Sequence, residues 1–126
     1  MTISKQHLEF YEVALEEGWR RPAGAPDGVE EKVLSGSLDE THKSGTQTRL
    51  LRMQPGAFST KPFVHDYWEE VYVLSGDLVS GHDGTGAGGE AFGPNTHACR
   101  PPGTPHGPVI SKTGCLLIEI HTYDPV

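Results

Sequence analysis

The chain has 126 residues, 16 of them glycine and 10 proline, and a formal net charge of −7. That length suits one domain, able to bury roughly two-thirds of its unfolded surface without staples. The acidic balance argues against nucleic acid and anionic membrane as partners, since both require a basic patch, and no apolar run approaches the ~20 residues needed to cross a bilayer.

The first residues, MTISKQHLEF, hold one early lysine and no apolar core, so they do not read as a secretory signal and the expected location is cytoplasmic. Between His7 and Trp19, Leu8, Tyr11, Leu15 and Trp19 fall near helical spacing, while a strand through LEFYEV fits equally well. A short extended lead-in followed by a turn is the expectation. Arg20 to Gly28 is a Pro/Gly-rich connection that no regular element tolerates. The lead-in therefore spans 1–27, and the core of the single domain spans 28–123.

GVEEKVLSG then predicts a strand with Glu31, Val33 and Ser35 on one face. Leu38 to Thr46 reads as a polar hairpin loop, and TQTRLLRM as a strand whose Arg49, Leu51 and Met53 share a face. Pro55-Gly56 breaks that strand. From Gln54 to Leu78 the pattern is strand, polar loop, strand and tight turn, with His65, Asp66, Glu69 and Glu70 close together. Glu69 opens the apolar run VYVL, and a carboxylate at the start of a buried strand costs several kcal/mol unless it is paired or ligated.

Gly76-Asp77 is expected as a hairpin turn with DLVSG as the return strand, and His82 to Gly89 as an exposed, flexible loop without a role in any site. CRPPGTPHGP supplies His106 behind a rigid turn. The last strand, GCLLIEIHTY, places Glu119 on a face with Leu117 and His121. Cys99 and Cys115 are expected as two reduced, buried thiols. Short strands at eight- to twelve-residue intervals, with turn signals between them, predict an antiparallel sandwich or barrel. The segments carrying His65 and His106 are expected to meet around one small-molecule site holding a metal.

Two motifs then carry a family resemblance over Gly28 to Tyr123. Glu69 and Gly76 keep the spacing of a Glu-x6-Gly motif, with His65 four residues before the glutamate. Pro101, Gly103 and His106 complete a Pro-x-Gly-x-x-His motif, whose leading glycine is Asn95 here. The chain resembles the small single-domain cupins, in the branch that includes anti-sigma-factor cupins and diketone-cleaving dioxygenases. The resemblance implies an all-β, antiparallel double-stranded β-helix, the jelly-roll barrel. Phe63 occupies the position of the family's first histidine, which reduces the implied metal ligands to His65, Glu69 and His106.

Two imidazoles and one carboxylate are also the ligand set of facial-triad iron sites, and zinc, manganese or nickel suits the same atoms. Glu119, His121, Glu31 and Tyr67 are candidates to orient the ligands. Glu119 has two readings: an inward-facing carboxylate of raised pKa that shuttles protons, or an ion-pair partner of Arg49, Arg52 or Arg100. Tyr67 is the second candidate for proton handling, and Tyr67-Trp68 form an aromatic wall or cover the barrel end. His7, His42 and His82 read as surface or satisfied core residues, and His97 as a packing residue that alternatively lines the barrel.

The leading expectation is a dioxygenase-like metal enzyme acting on a small carbonyl or aromatic compound, such as an enolised diketone or an α-hydroxy ketone. A metal-free isomerase or dehydratase and a non-catalytic ligand- or metal-sensing module are the alternatives. A homodimer pairing through the outer face of a sheet is expected.

Overall fold

A computed structural model describes residues 5–125. Residues 1–4, part of the stretch read as lacking a secretory signal, lie outside the described residues, as does residue 126. The described residues form eight strands and no helix: β1 (Val29–Asp39), β2 (Ser44–Met53), β3 (Trp68–Gly76), β4 (Leu78–Ser80), β5 (Glu90–Phe92), β6 (His97–Arg100), β7 (Val109–Ile110) and β8 (Cys115–Thr122). All pairings are antiparallel and make two sheets, ordered β1-β2-β8-β3-β6 and β5-β4-β7. This is the jelly-roll arrangement expected. The lead-in is irregular up to Arg20, which forms a bridge with Glu31 on β1.

Alternation decides what each strand sends inward. On β3, Glu69, Val71 and Val73 are buried while Trp68, Glu70 and Tyr72 are exposed, and on β8 Cys115, Leu117, Glu119 and His121 are buried. The interior is graded along the strands as a result. Val29, Leu51, Met53, Val71, Val73 and Leu117 form an apolar core at one end. Buried Glu31, Glu69, Glu119 and His121 occupy the other.

Several expectations require correction. β1 runs past Gly36 to Asp39 and β2 starts at Ser44, so the hairpin connection shrinks to four residues, with Lys43 at φ +51°. A bulge between Val33 and Ser35 re-phases β1 beyond it and turns Leu38 towards the cavity, and Val33 itself is exposed. Gly76-Asp77 is not a hairpin turn. The chain leaves the first sheet at Gly76 and enters the second at Leu78. Gly76 has φ +82°, and any Cβ there would collide with the backbone of Gly114 and Cys115. Asp77 then holds the crossing, accepting from the N–H groups of Lys112 (3.0 Å) and Thr113 (2.7 Å).

The 82–89 loop is not a passive connection either. His82 is buried, and its Nδ1 accepts from the N–H groups of Gly84 and Gly86. It is a satisfied core histidine. Cys99 is exposed, whereas Cys115 is buried as expected, and both are free thiols.

Candidate metal centre

Backbone hydrogen bonds bring the two motif segments together before any side chain acts. Phe63 and His106 exchange N–H···O bonds of 2.7 and 2.9 Å, and the N–H of Gly103 donates to the carbonyl of His65 at 2.8 Å. The Pro-Gly turn is thus pinned to the loop that carries His65. Asn95, in the family's glycine position, keeps the left-handed conformation at φ +66°, which asparagine tolerates better than most residues.

Glu69 is the hub. It lies opposite Arg100 of β6 and His121 of β8, and only 4% of its surface is exposed. Its Oε1 accepts from Arg100 Nη1 at 3.0 Å and lies 3.5 Å from His106 Nε2. Its Oε2 lies 3.1 Å from His121 Nε2 and 3.6 Å from His65 Nε2. Ligand atoms of His65, Glu69 and His106 all fall within 4.8 Å of one another, and a second such group joins Glu69, Glu119 and His121.

The electrostatics divide these histidines. Burial pushes the pKa values of His65 and His106 down, against the pull of Glu69, and so favours the neutral imidazole that binds metals. Burial also works against protonated His121, but hydrogen bonds to Glu119 and Glu69 outweigh it and raise its pKa. A carboxylate only accepts, so the Nε2–H of His121 donates to Glu69. His121 thereby orients Glu69. His106 Nε2 is buried and has no hydrogen-bond partner among the described residues. Two neutral imidazoles, one with an orphaned nitrogen, beside an ionisable carboxylate are a donor set that fits a divalent first-row metal.

Glu119 follows its ion-pair reading. Arg49, directly opposite on β2, donates Nε and Nη2 to Glu119 Oε1 at 2.9 and 2.7 Å, and Nη1 to Glu31 Oε1 at 2.8 Å. Burial pushes the Glu119 carboxyl up, but the Arg49 guanidinium and His121 hold it well below the usual carboxylate range. The other reading, a raised pKa, is not found. Tyr67 is buried between His65 and His121, each ring 4.7 Å away, and burial raises its phenol pKa. Trp68 faces outward and donates to Asp124, so of that pair only Tyr67 walls the cavity.

These side chains line a cavity of about 530 Å³ between the two sheets. Sequence reasoning missed part of its wall: Pro22 to Pro26, Leu38 and Glu40 also line it. The Pro/Gly composition marked the first of these segments only as irregular. Of the other histidines, exposed His97 pairs with Glu70 at 3.0 Å, His42 with Asp39 at 2.8 Å and His7 with Glu9 at 3.4 Å, none of them on the cavity.

Against known families, residues 16–123 match the model of the ChrR cupin-like domain. The chain belongs to that family. This cupin also resembles solved structures at low identity. An RmlC-like cupin from Shewanella frigidimarina is 16% identical, with 97% of this chain and 96% of that one covered and a TM-score of 0.67. The polyketide cyclase RemF from Streptomyces resistomycificus is 16% identical, with 93% and 81% covered and a TM-score of 0.66. The Rhodobacter sphaeroides complex of SigE with the anti-sigma ChrR is 19% identical, with 86% of this chain and 50% of that one covered and a TM-score of 0.58. These likenesses establish the fold. No curated protein matches the sequence.

Proposed function

We propose that this cupin is a metal-dependent enzyme of dioxygenase type acting on a small carbonyl or aromatic compound, with His65, Glu69 and His106 as the protein ligands. The observation that carries this reading is the buried, unpartnered Nε2 of His106, 3.5 Å from Glu69 Oε1. A buried polar atom left unpaired costs about 1–3 kcal/mol, which ligation removes. Three protein ligands leave coordination positions open. A bound iron, zinc, manganese or nickel ion would supply Lewis acidity towards a substrate oxygen pair, or oxygen activation.

The chain's own residues have separable tasks. His65 and His106 remain neutral. Arg100 and His121 fix the two oxygens of Glu69. Tyr67 keeps its proton and serves as the O–H donor of the cavity. Phe63 and the 22–26 segment line the cavity and limit water. The expected result is close to one first-row metal per chain by elemental analysis, with turnover lost on chelation. No metal after mild purification, and none gained on reconstitution, refutes the reading.

Two other readings have specific support. Phe63 in place of a histidine favours a metal-free isomerase or dehydratase, for which chelation leaves turnover intact. The match to the ChrR cupin-like domain favours a sensing module, for which metal binds without turnover. The exposed apolar side chains Trp68, Tyr72, Leu74 and Ile120 on the outer face of β3 and β8 support a homodimer through that face.

A further inference from the structure

Two arginines of the cavity wall, Arg49 and Arg100, are used to different extents. A guanidinium is planar, and its Nε–H and one Nη2–H point along the same edge, which matches the two oxygens of a carboxylate. In Arg49 that edge is filled: Nε and Nη2 donate to Glu119 Oε1 at 2.9 and 2.7 Å, while Nη1 serves Glu31 at 2.8 Å. One guanidinium therefore sustains two carboxylates in this interior. Arg100 has Nη1 on Glu69 Oε1 at 3.0 Å, and its Nε and Nη2 have no partner among the described residues. It points inward, opposite buried Glu69 in the β3–β6 ladder, and lines the cavity. The fully enclosed side-chain atoms left unpartnered are Arg52 Nε, His106 Nε2 and His121 Nδ1, so the Nε/Nη2 edge of Arg100 opens on accessible space. No buried carboxylate of the lining is left over to fill it. Glu31 receives Arg20 and Arg49, Glu119 receives Arg49, Glu69 receives Arg100 and His121, and Glu40 is exposed.

We propose that the ligand of this cavity is a small hydroxy- or oxo-acid, its carboxylate held side-on by Nε and Nη2 of Arg100 and its second oxygen turned towards His65 and His106. The seat of the carboxylate rests on the arginine alone; the direction of the second oxygen rests on the function proposed above. Arg100 Nη1 and His106 Nε2 lie on the same oxygen of Glu69, at 3.0 and 3.5 Å, so a ligand that reaches both carries its two polar groups close together. A carboxylate gives up its hydration only for a partner of comparable strength. Paired bonds from a guanidinium edge are such a partner, roughly twice as strong as neutral hydrogen bonds. The hydrocarbon part of the ligand then lies against Val29, Leu51 and Leu117.

Two matched pairs of probes test this: glycolate against glycolamide, and salicylate against salicylamide. Each pair keeps the hydroxyl and differs in the charge of the acid group. All are titrated calorimetrically into the chelator-stripped and the metal-loaded protein. In at least one pair the carboxylate is expected to bind the stripped protein about tenfold tighter than its amide, the scale of hydrogen bonds to a charged group. Arg100→Lys keeps a cation for Glu69 but presents no planar edge, and is expected to weaken the carboxylate about tenfold while holding the amide within about threefold. A merely structural role for Arg100 would weaken both members of a pair alike. Should that variant fail to fold by circular dichroism, the Nε–H resonance of Arg100, assigned through bonds in the unmodified protein, is expected to shift with the carboxylate and not with the amide. Amides that bind as tightly as their acids in both pairs overturn the proposal. So does binding of none of the probes, a parallel loss in Arg100→Lys, or an unmoved resonance. Failure of the metal reading shows separately, as no metal retained on loading, with the carboxylate preference still readable in the stripped protein.

Discussion

The Phe63 ring lies with its centroid 5.6 Å from that of His106 and 6.3 Å from that of His65, so an imidazole built there would sit beside the existing donors. Phe63→His is expected to raise metal affinity on the order of 10- to 100-fold, the range by which a single supporting group tunes such a site. Competition against a chromophoric chelator measures it; unchanged affinity would place residue 63 away from the metal. Arg49 tests the opposite kind of dependence. Arg49→Met leaves Glu31 and Glu119 buried without their shared cation, a loss of about 3–5 kcal/mol. Urea denaturation is the check, and Arg49→Met combined with Glu119→Gln is expected to recover part of that loss. That Glu119 shares a face with Leu117 and His121 was legible, because alternation along LLIEIH assigns them one side. Its choice among Arg49, Arg52 and Arg100 was not. That choice depends on the register of β2 against β8, which neither strand encodes alone.

Among the elements, the crossing from β3 to β4 shows why a turn signal can be read correctly and still be misplaced. Gly-Asp announces a sharp change of direction, but whether the next strand pairs back or joins another sheet depends on what receives it. Here the Ser111 hydroxyl and the N–H groups of Lys112 and Thr113 do so, by donating to the carboxylate of Asp77. Burial works against that carboxylate, but bonds from Thr113, Lys112 and Ser111 lower its pKa from 3.8 to about 2. A depressed carboxylate contributes stability that is present above pH 3.8 and lost as pH falls through 2. Asp77→Asn is therefore expected to cost about 1–3 kcal/mol near neutrality, and the gap to the unmodified protein should close between pH 4 and 2. Urea midpoints taken across that range give the comparison. The bulges at Val33/Ser35 and Val73/Ser75 escaped the sequence for a related reason. One extra residue inverts the inward set of everything after it, and no side chain in VLSGS announces the insertion.

At the scale of the whole molecule, the outer face of the larger sheet presents Tyr72 opposite Ile118 and Leu74 nearby, with 37% of Tyr72 and 42% of Leu74 exposed. A homodimer through this face predicts a sedimenting mass twice the 13.7 kDa of one chain. Tyr72→Lys is expected to shift it towards monomer without altering metal content, because Tyr72 lies outside the cavity. A species of single-chain mass at micromolar concentration would count against the dimer.

Strand β8 also has a temporal meaning. It lies between β2 and β3, two strands adjacent in sequence that never pair with each other, and it brings Glu119 to Arg49 and His121 to Glu69. Until that strand inserts, the guanidinium and the carboxylate remain hydrated on two separate halves of an open sheet. Each half then holds only part of its pairing, Arg49 with Glu31 of β1 and Glu69 with Arg100 of β6. Closing the barrel and completing its interior ion pairs are thus one event, and docking of the segment synthesised last among the strands should dominate the folding rate. A nascent chain still short of residue 115 would hold its future ligands in water, without the cavity of the finished protein.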